Sequence, residues 1–184
     1  MIFLTGIYGS GKTELCKYLS NKLNIRYLRA SDVIYHALNK CPPTNKRVSD
    51  ISFNQQILIS EIRSLGSHQR PNILEGHLCL INNEDKIECI PEYIFKNLHL
   101  TGIVLLKANI QNAQNRLWKR DHTHYPIEQL RQLQEQEQIY ALRLSHILTV
   151  PLITVHDGQR EELKSLIVQL QKILDNSLDI LSEE

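Results

Sequence analysis

The chain has 184 residues, 42% hydrophobic and 22% charged, a composition that fits one soluble domain with a single large core and excludes disordered or fibrous classes. A formal net charge of +1 gives no global attraction to nucleic acid or anionic membrane, so binding along a duplex is disfavoured and any polyanion site has to be a local cluster. No apolar run approaches membrane-spanning length. The N-terminal apolar residues lack the basic flank of a signal peptide. The four cysteines, Cys16, Cys41, Cys79 and Cys89, show no C-x-x-C spacing and no paired framework. Reduced thiols in a cytoplasmic protein are therefore expected, with no structural zinc site.

In chain order, residues 2–5 read as a strand, and the segment GIYGSGKT after it matches the phosphate-binding pattern G-x-x-x-x-G-K-[ST] in its required setting between a strand and a helix. Gly6, Gly9 and Gly11 let the backbone, including Tyr8 and Ser10, curl its N–H groups around phosphate oxygens. Lys12 supplies a point charge for the β- and γ-phosphates, and the Thr13 hydroxyl is placed to ligate Mg²⁺. The helix N-terminus adds partial positive charge. Leu15, Leu19 and Leu23 recur every four residues, which predicts a helix over 12–23. A strand at 25–28 leads to Ser31 or Asp32, either of which can cap a short helix. Residues 39–47 are polar and broken by Pro42 and Pro43, a mobile loop. A helix starting at Ser49 or Asp50 turns Ile51, Leu58, Ile62 and Leu65 inward and stops at Gly66. Residues 72–75 form a third strand, and 78–90 a small hairpin turning at 82–85.

The second half is more regular. The run 103–106 suits a strand buried on both faces. A helix over 110–120 follows, then a break at 121–126. Leu130, Leu133, Tyr140, Leu144 and Ile147 trace one face of a helix that ends near Leu148. Residues 151–155 form the fifth strand, and Leu163, Ile167, Leu170, Leu174, Leu178 and Leu181 mark a final amphipathic helix. Five strands alternating with helices argue for one domain over residues 1–184, an α/β three-layer fold with a parallel sheet and a ligand at the carboxyl ends of its strands.

The glycine-rich loop after strand 1, the Ser31-Asp32 pair after strand 2, Glu75-Gly76-His77 after strand 3 and the basic helix before a short break resemble the P-loop nucleoside-monophosphate-kinase group. Within it the chain is most similar to adenylate-kinase-like proteins with a short lid. The resemblance implies a P-loop fold with strand order 2-3-1-4-5, an acceptor-binding flap over 31–66, a lid over 121–126, and ATP with Mg²⁺ as cofactors. It gives Glu75 the place of a family carboxylate that holds Mg²⁺ through water. Arg116 and Arg120 meet the family pattern R-x-x-x-R, which there holds the ATP base and phosphates, and Lys119 shares their face. Thr154 and His156 fall where the family forms its adenine loop, mostly through backbone contacts. His77 is read as locally satisfied, and His122 and His124 as lid surface. Arg131 and Arg143 are weaker candidates.

Two departures matter. Where adenylate kinases carry the arginines that clamp the acceptor phosphate, this chain has Tyr35 and Cys79. A monophosphate would have to be held by Lys46, Arg47, Arg63 or Arg70. P-loop kinases of hydroxyl acceptors resemble this chain in placing an Asp after strand 2 as general base, which is the position of Asp32. Three readings stand: a nucleoside monophosphate kinase, taken first; a kinase of a nucleoside or polynucleotide 5′-hydroxyl with Asp32 as base; and a nucleotide-dependent switch acting through a protein partner. The expected partner of the first is a small-molecule acceptor, with nucleic acid not favoured and no membrane. The expected catalytic residues are Lys12, Asp32, Arg116 and Arg120.

Overall fold

A computed structural model describes residues 1–40, 47–48, 51–65, 72–122 and 124–182, with the backbone alone described at 47–48, 160 and 176–182. The strand β1 (Ile2–Thr5) lies at the centre of the large sheet and is buried throughout. It pairs in parallel with β4 (Ile73–Glu75) on one side and β7 (Gly102–Lys107) on the other. The outer strands are β2 (Tyr27–Arg29) and β8 (Leu152–His156). The order is β2-β4-β1-β7-β8, which is 2-3-1-4-5 when these five strands are counted alone. Because β1 comes first in sequence and lies in the middle, its carboxyl end opens a crevice where the chain reverses direction across the sheet.

Side chains alternate across this sheet with period two. Ile2 and Leu4 join Val104 and Ile153 on the face covered by α1 (Lys12–Leu23) and α7 (Arg160–Ser182). Phe3 joins Leu74, Ile103 and Leu105 on the opposite face. That face is covered by α3 (Ile51–Ser64), α4 (Glu92–Asn97) and α6 (Ile127–Leu148). The remaining helices are α2 (Ala30–Ala37) and α5 (Ile110–Asp121). None of the described helices is long and apolar enough to cross a membrane.

A second sheet stands beside the first, in the order β3 (Arg47–Val48), β5 (Cys79–Asn82) and β6 (Ile87–Cys89). β5 and β6 are the expected hairpin, and its turn is tied by Asn82, whose side-chain oxygen accepts from the N–H groups of Glu84 and Lys86. β3 and α4 were not expected, being too short for a periodic signal.

Three expectations are corrected. Cys79 and Cys89 are joined in a disulfide, because antiparallel register sets them directly opposite each other across the hairpin; a ten-residue separation in sequence does not reveal that register. Cys16 keeps a free, buried thiol whose pKa is pushed up by burial, and Cys41 lies outside the described residues. Neither Ser31 nor Asp32 caps α2, since the helix begins at Ala30 and both residues fall inside its first turn. Ile147 is exposed, because Leu148 takes the inward position in the last turn of α6. The expected helix ends at Ser49 or Asp50 and at Gly66 lie outside the described residues, as do the 41–46 part of the loop and residue 123 of the lid segment.

Candidate functional site

The glycine loop turns between β1 and α1 as its residue types require. Gly6 has φ of 152° and Gly9 of 72°, and a Cβ on either would stand 2.5 Å from a backbone carbonyl oxygen, that of Leu106 or Ala113. Any side chain there would push the loop off β7 at Gly6 or off α5 at Gly9. Lys12 is buried, and its ammonium donates to the carbonyls of Gly6 and Ile7 at 2.8 and 2.9 Å. The charge is thus held inside the loop's own curl.

The Thr13 hydroxyl donates to Glu75 Oε1 at 2.8 Å. Glu75 is the last residue of β4 and stands beside β1 in register with Leu4, so sheet pairing carries the carboxylate to the start of α1. Its other oxygen lies 3.8 Å from Arg29 Nε. Glu75 Oε2, Arg29 Nε and Ser10 Oγ are buried with no hydrogen-bond partner among the described residues. Polar atoms left orphaned around one hollow are what a phosphate with a hydrated cation would satisfy. A hydroxyl and a carboxylate are hard oxygen donors of the kind Mg²⁺ takes, so the residues fit that ion. Among the described residues no group of three or more His, Cys, Asp or Glu could hold a metal by itself.

The loop opens into a cleft of about 1020 Å³. One end is cationic. Arg116 and Arg120 on α5 line it together with Lys119. Arg116 donates to the carbonyls of Gly9 and Ser10 at 3.1 and 3.2 Å and pairs with Asp157 at 2.7 Å. Arg120 is held by Asp121 in two contacts of 2.6 Å, and that carboxylate pushes its pKa further above the ordinary value. His156 also lines this end, its ring nitrogen 3.1 Å from Glu162, whose carboxylate accepts from the His156 backbone N–H. The Glu162 carboxyl is held below its usual range chiefly by that backbone contact.

Asp32 is placed differently. Its carboxylate is exposed and lies 3.5 Å from Arg29, and the neighbouring Ser31 reaches the cleft wall where Asp32 does not. Of the cations considered for an acceptor phosphate, Arg63 donates to Asn97 on α4, while Lys46, the Arg47 side chain and Arg70 lie outside the described residues. Arg131 and Arg143 pair with Glu128 and Glu92. His122 ends α5 in the left-handed conformation and His124 is exposed.

Sequence reasoning missed Glu137. It is 0% exposed, on the inward face of α6 between Leu133 and Tyr140. Its carboxylate accepts from the Thr5 hydroxyl at 2.7 Å and from the N–H groups of Leu78 and Cys79 at 3.1 and 3.3 Å, with His77 Nδ1 3.7 Å away. One carboxylate thus ties α6 to the end of β1 and to the loop after β4. Tyr8 adds a second tie, since its buried hydroxyl accepts from the Ile81 N–H at 3.1 Å and its ring packs on His77. Glu137→Leu would leave three donors without an acceptor and is expected to cost about 3–5 kcal/mol in a urea titration. Glu137→Gln keeps one acceptor oxygen for the two N–H groups and can turn its amine to the Thr5 oxygen, so about 1–2 kcal/mol is expected. Equal losses for both variants would remove the hydrogen-bonding account.

Comparison with known proteins agrees with this architecture. The AAA domain family matches residues 5–134. No protein of curated function matches the sequence. Among solved structures, the chain is similar to a shikimate kinase from Acinetobacter baumannii in complex with shikimate, with TM-score 0.60 and 20% identity over 96% of this chain and 94% of that one. It is similar to a putative kinase from Chloroflexus aurantiacus, with TM-score 0.55 and 19% identity over 95% of each chain. A gluconokinase from Sinorhizobium meliloti 1021 superposes with TM-score 0.53 and 11% identity over 96% and 94%. At these identities the likeness is one of fold.

Proposed function

From the premise that the chain belongs to the AAA domain family and has the fold of P-loop kinases, we propose that it transfers the γ-phosphate of ATP to a small-molecule hydroxyl acceptor. The observation that carries this is the Thr13–Glu75 contact on the floor of a cleft that extends past the glycine loop in two directions. A nucleotide needs one end, and the other remains for an acceptor. In this reading Lys12 and the loop N–H groups hold the β- and γ-phosphates, Arg116 the nucleotide side and Arg120 the charge that spreads over the transferred group. Thr13 and Glu75 would hold Mg²⁺, which would supply positive charge to offset that of the phosphates. The residues 31–66 act as acceptor flap and 121–126 as lid, and work on ATP puts the protein in the cytoplasm. Kinases of shikimate and gluconate phosphorylate hydroxyl groups, which accords with the same choice of acceptor here.

A hydroxyl is favoured over a monophosphate because, among the described residues of the acceptor end, Arg29 is the cation, and it already faces two carboxylates, Asp32 and Glu75. Asp32, which stands exposed beside Arg29 and outside the cleft wall, is assigned as proton acceptor through a turn of its side chain into the cleft when the acceptor binds. The acceptor oxygen gives its proton to that carboxylate and bonds to the γ-phosphorus as the bond to the β–γ bridging oxygen breaks and ADP leaves. Asp32→Asn keeps the shape and removes the base, so kcat is expected to fall by roughly 10²–10⁴ with little change in acceptor KM. An unchanged kcat with a raised acceptor KM would make Asp32 a binding residue and return the monophosphate reading. Melting temperature should barely move, since Asp32 caps no helix.

A further inference from the structure

The acceptor end of the cleft is built from residues whose chemistry narrows what it can hold. Its walls are Ile34 of α2, Leu58 of α3, Leu80 of the hairpin, Phe95 of α4 and Leu98 just after it, all buried in the core cluster on that face of the sheet. Tyr35, with its hydroxyl pKa raised by burial, stands where a phosphate-clamping arginine would be expected. Into this apolar space comes one buried amide. Gln55 is 6% exposed, lines the cleft beside Asn54, makes no hydrogen bond to a described residue, and is not among the fully buried polar atoms without a partner, so its amide meets the cleft's solvent. Its position is not accidental to the helix, because Ile51, Gln55, Leu58 and Ile62 form the inward stripe of α3.

A carboxamide in apolar surroundings costs stability unless something bonds to it. The same group presents an acceptor and two donors side by side, the pattern that pairs with the edge of a nucleobase through two hydrogen bonds. An anionic acceptor would instead need a cation free to meet it, and Arg29, the cation among the described residues of this end, already faces Asp32 and Glu75. We propose that the acceptor is an uncharged nucleoside-type alcohol whose flat base lies among Ile34, Tyr35, Leu58 and Phe95 and is read along its edge by Gln55. The inference rests on the kinase reading above and adds the class of substrate to it.

The test follows ADP formation from ATP and Mg²⁺ by the full chain with adenosine, guanosine, cytidine or thymidine, their 5′-monophosphates, shikimate or gluconate. At least one nucleoside is expected to be phosphorylated with kcat/KM more than tenfold above that of its monophosphate. Transfer to monophosphates or to the acids in preference to every nucleoside would overturn the acceptor class and leave the kinase standing. Phosphate released only to water with every compound would overturn both. Gln55→Leu supplies the second readout. Because it removes an amide that bonds to none of the described residues from an apolar wall, its melting temperature is expected to equal or exceed that of the wild type. The nucleoside KM should rise by about 10- to 100-fold, as two lost hydrogen bonds imply, while the ATP KM stays unchanged. A lower melting temperature with an unchanged nucleoside KM would make Gln55 a structural residue and end the proposal.

Discussion

Lys12→Ala is expected to lower phosphate transfer by at least about 10³-fold and to abolish the thermal stabilisation that ATP confers. The reason lies in where the ammonium sits, buried inside the glycine loop and bonded to the carbonyls of Gly6 and Ile7. A phosphate entering the loop exchanges those neutral acceptors for charged oxygens, and the negative charge grows in the transition state. Alanine leaves the two carbonyls open to water in the cleft and takes nothing from either core cluster. The nucleotide-free melting temperature is therefore expected to stay near that of the wild type. A ligand at a hundred times its Kd stabilises by about 2.7 kcal/mol, so the missing ATP shift is large enough to read by thermal denaturation. Unchanged turnover would remove the basis for placing the donor phosphates here.

The second large effect is at Arg120. Positioned arginine charge contributes on the order of 10³ or more to phosphoryl transfer, and Arg120→Ala should lower kcat by that order while changing the ATP KM little. Its guanidinium is charged and already shaped by Asp121, which holds it in two contacts at the cleft wall. Arg116 is the built-in contrast. It donates to the carbonyls of Gly9 and Ser10 and pairs with Asp157, contacts that accord with the proposed place on the nucleotide side, and Arg116→Ala should act mainly on the ATP KM. Steady-state kinetics of the two variants separates these roles. An effect of Arg120→Ala confined to the ATP KM would make it a binding residue.

Two positions that sequence reasoning missed, Gln55 at the cleft wall and Glu137 beneath the end of β1, share one signal that could have found them. Each is a polar residue at an inward position of a helical stripe, Gln55 between Ile51 and Leu58 and Glu137 between Leu133 and Tyr140. The apolar members of those stripes predict the helices and their buried faces, and the polar member marks where the face meets something other than hydrocarbon. What it meets was not legible. Glu137 finds its partners 132 and 59 residues away, at Thr5 and Leu78, and only the stacking of α6 on β1 and on the loop after β4 brings them within reach. Asp157 was missed for a similar reason. It follows a strand with no motif of its own and gains its role by standing opposite Arg116.

By itself the sequence determined the elements whose signals are local. The glycine loop follows from backbone φ values and close approaches that only glycine tolerates, and the strands and long helices follow from periods of two and 3.6 residues. The alternation of strand and helix was enough to imply a parallel sheet with its ligand at the strand ends. Only the tertiary structure decided the relations between distant segments. It set Cys79 opposite Cys89 through antiparallel register, brought Glu75 to Thr13 through the pairing of β4 with β1, and turned Asp32 toward Arg29. The physical reason is that a helix or strand signal needs a few neighbouring residues, whereas a hydrogen bond or ion pair across the cleft needs two packed elements at a fixed distance, and no stretch of chain encodes that distance alone.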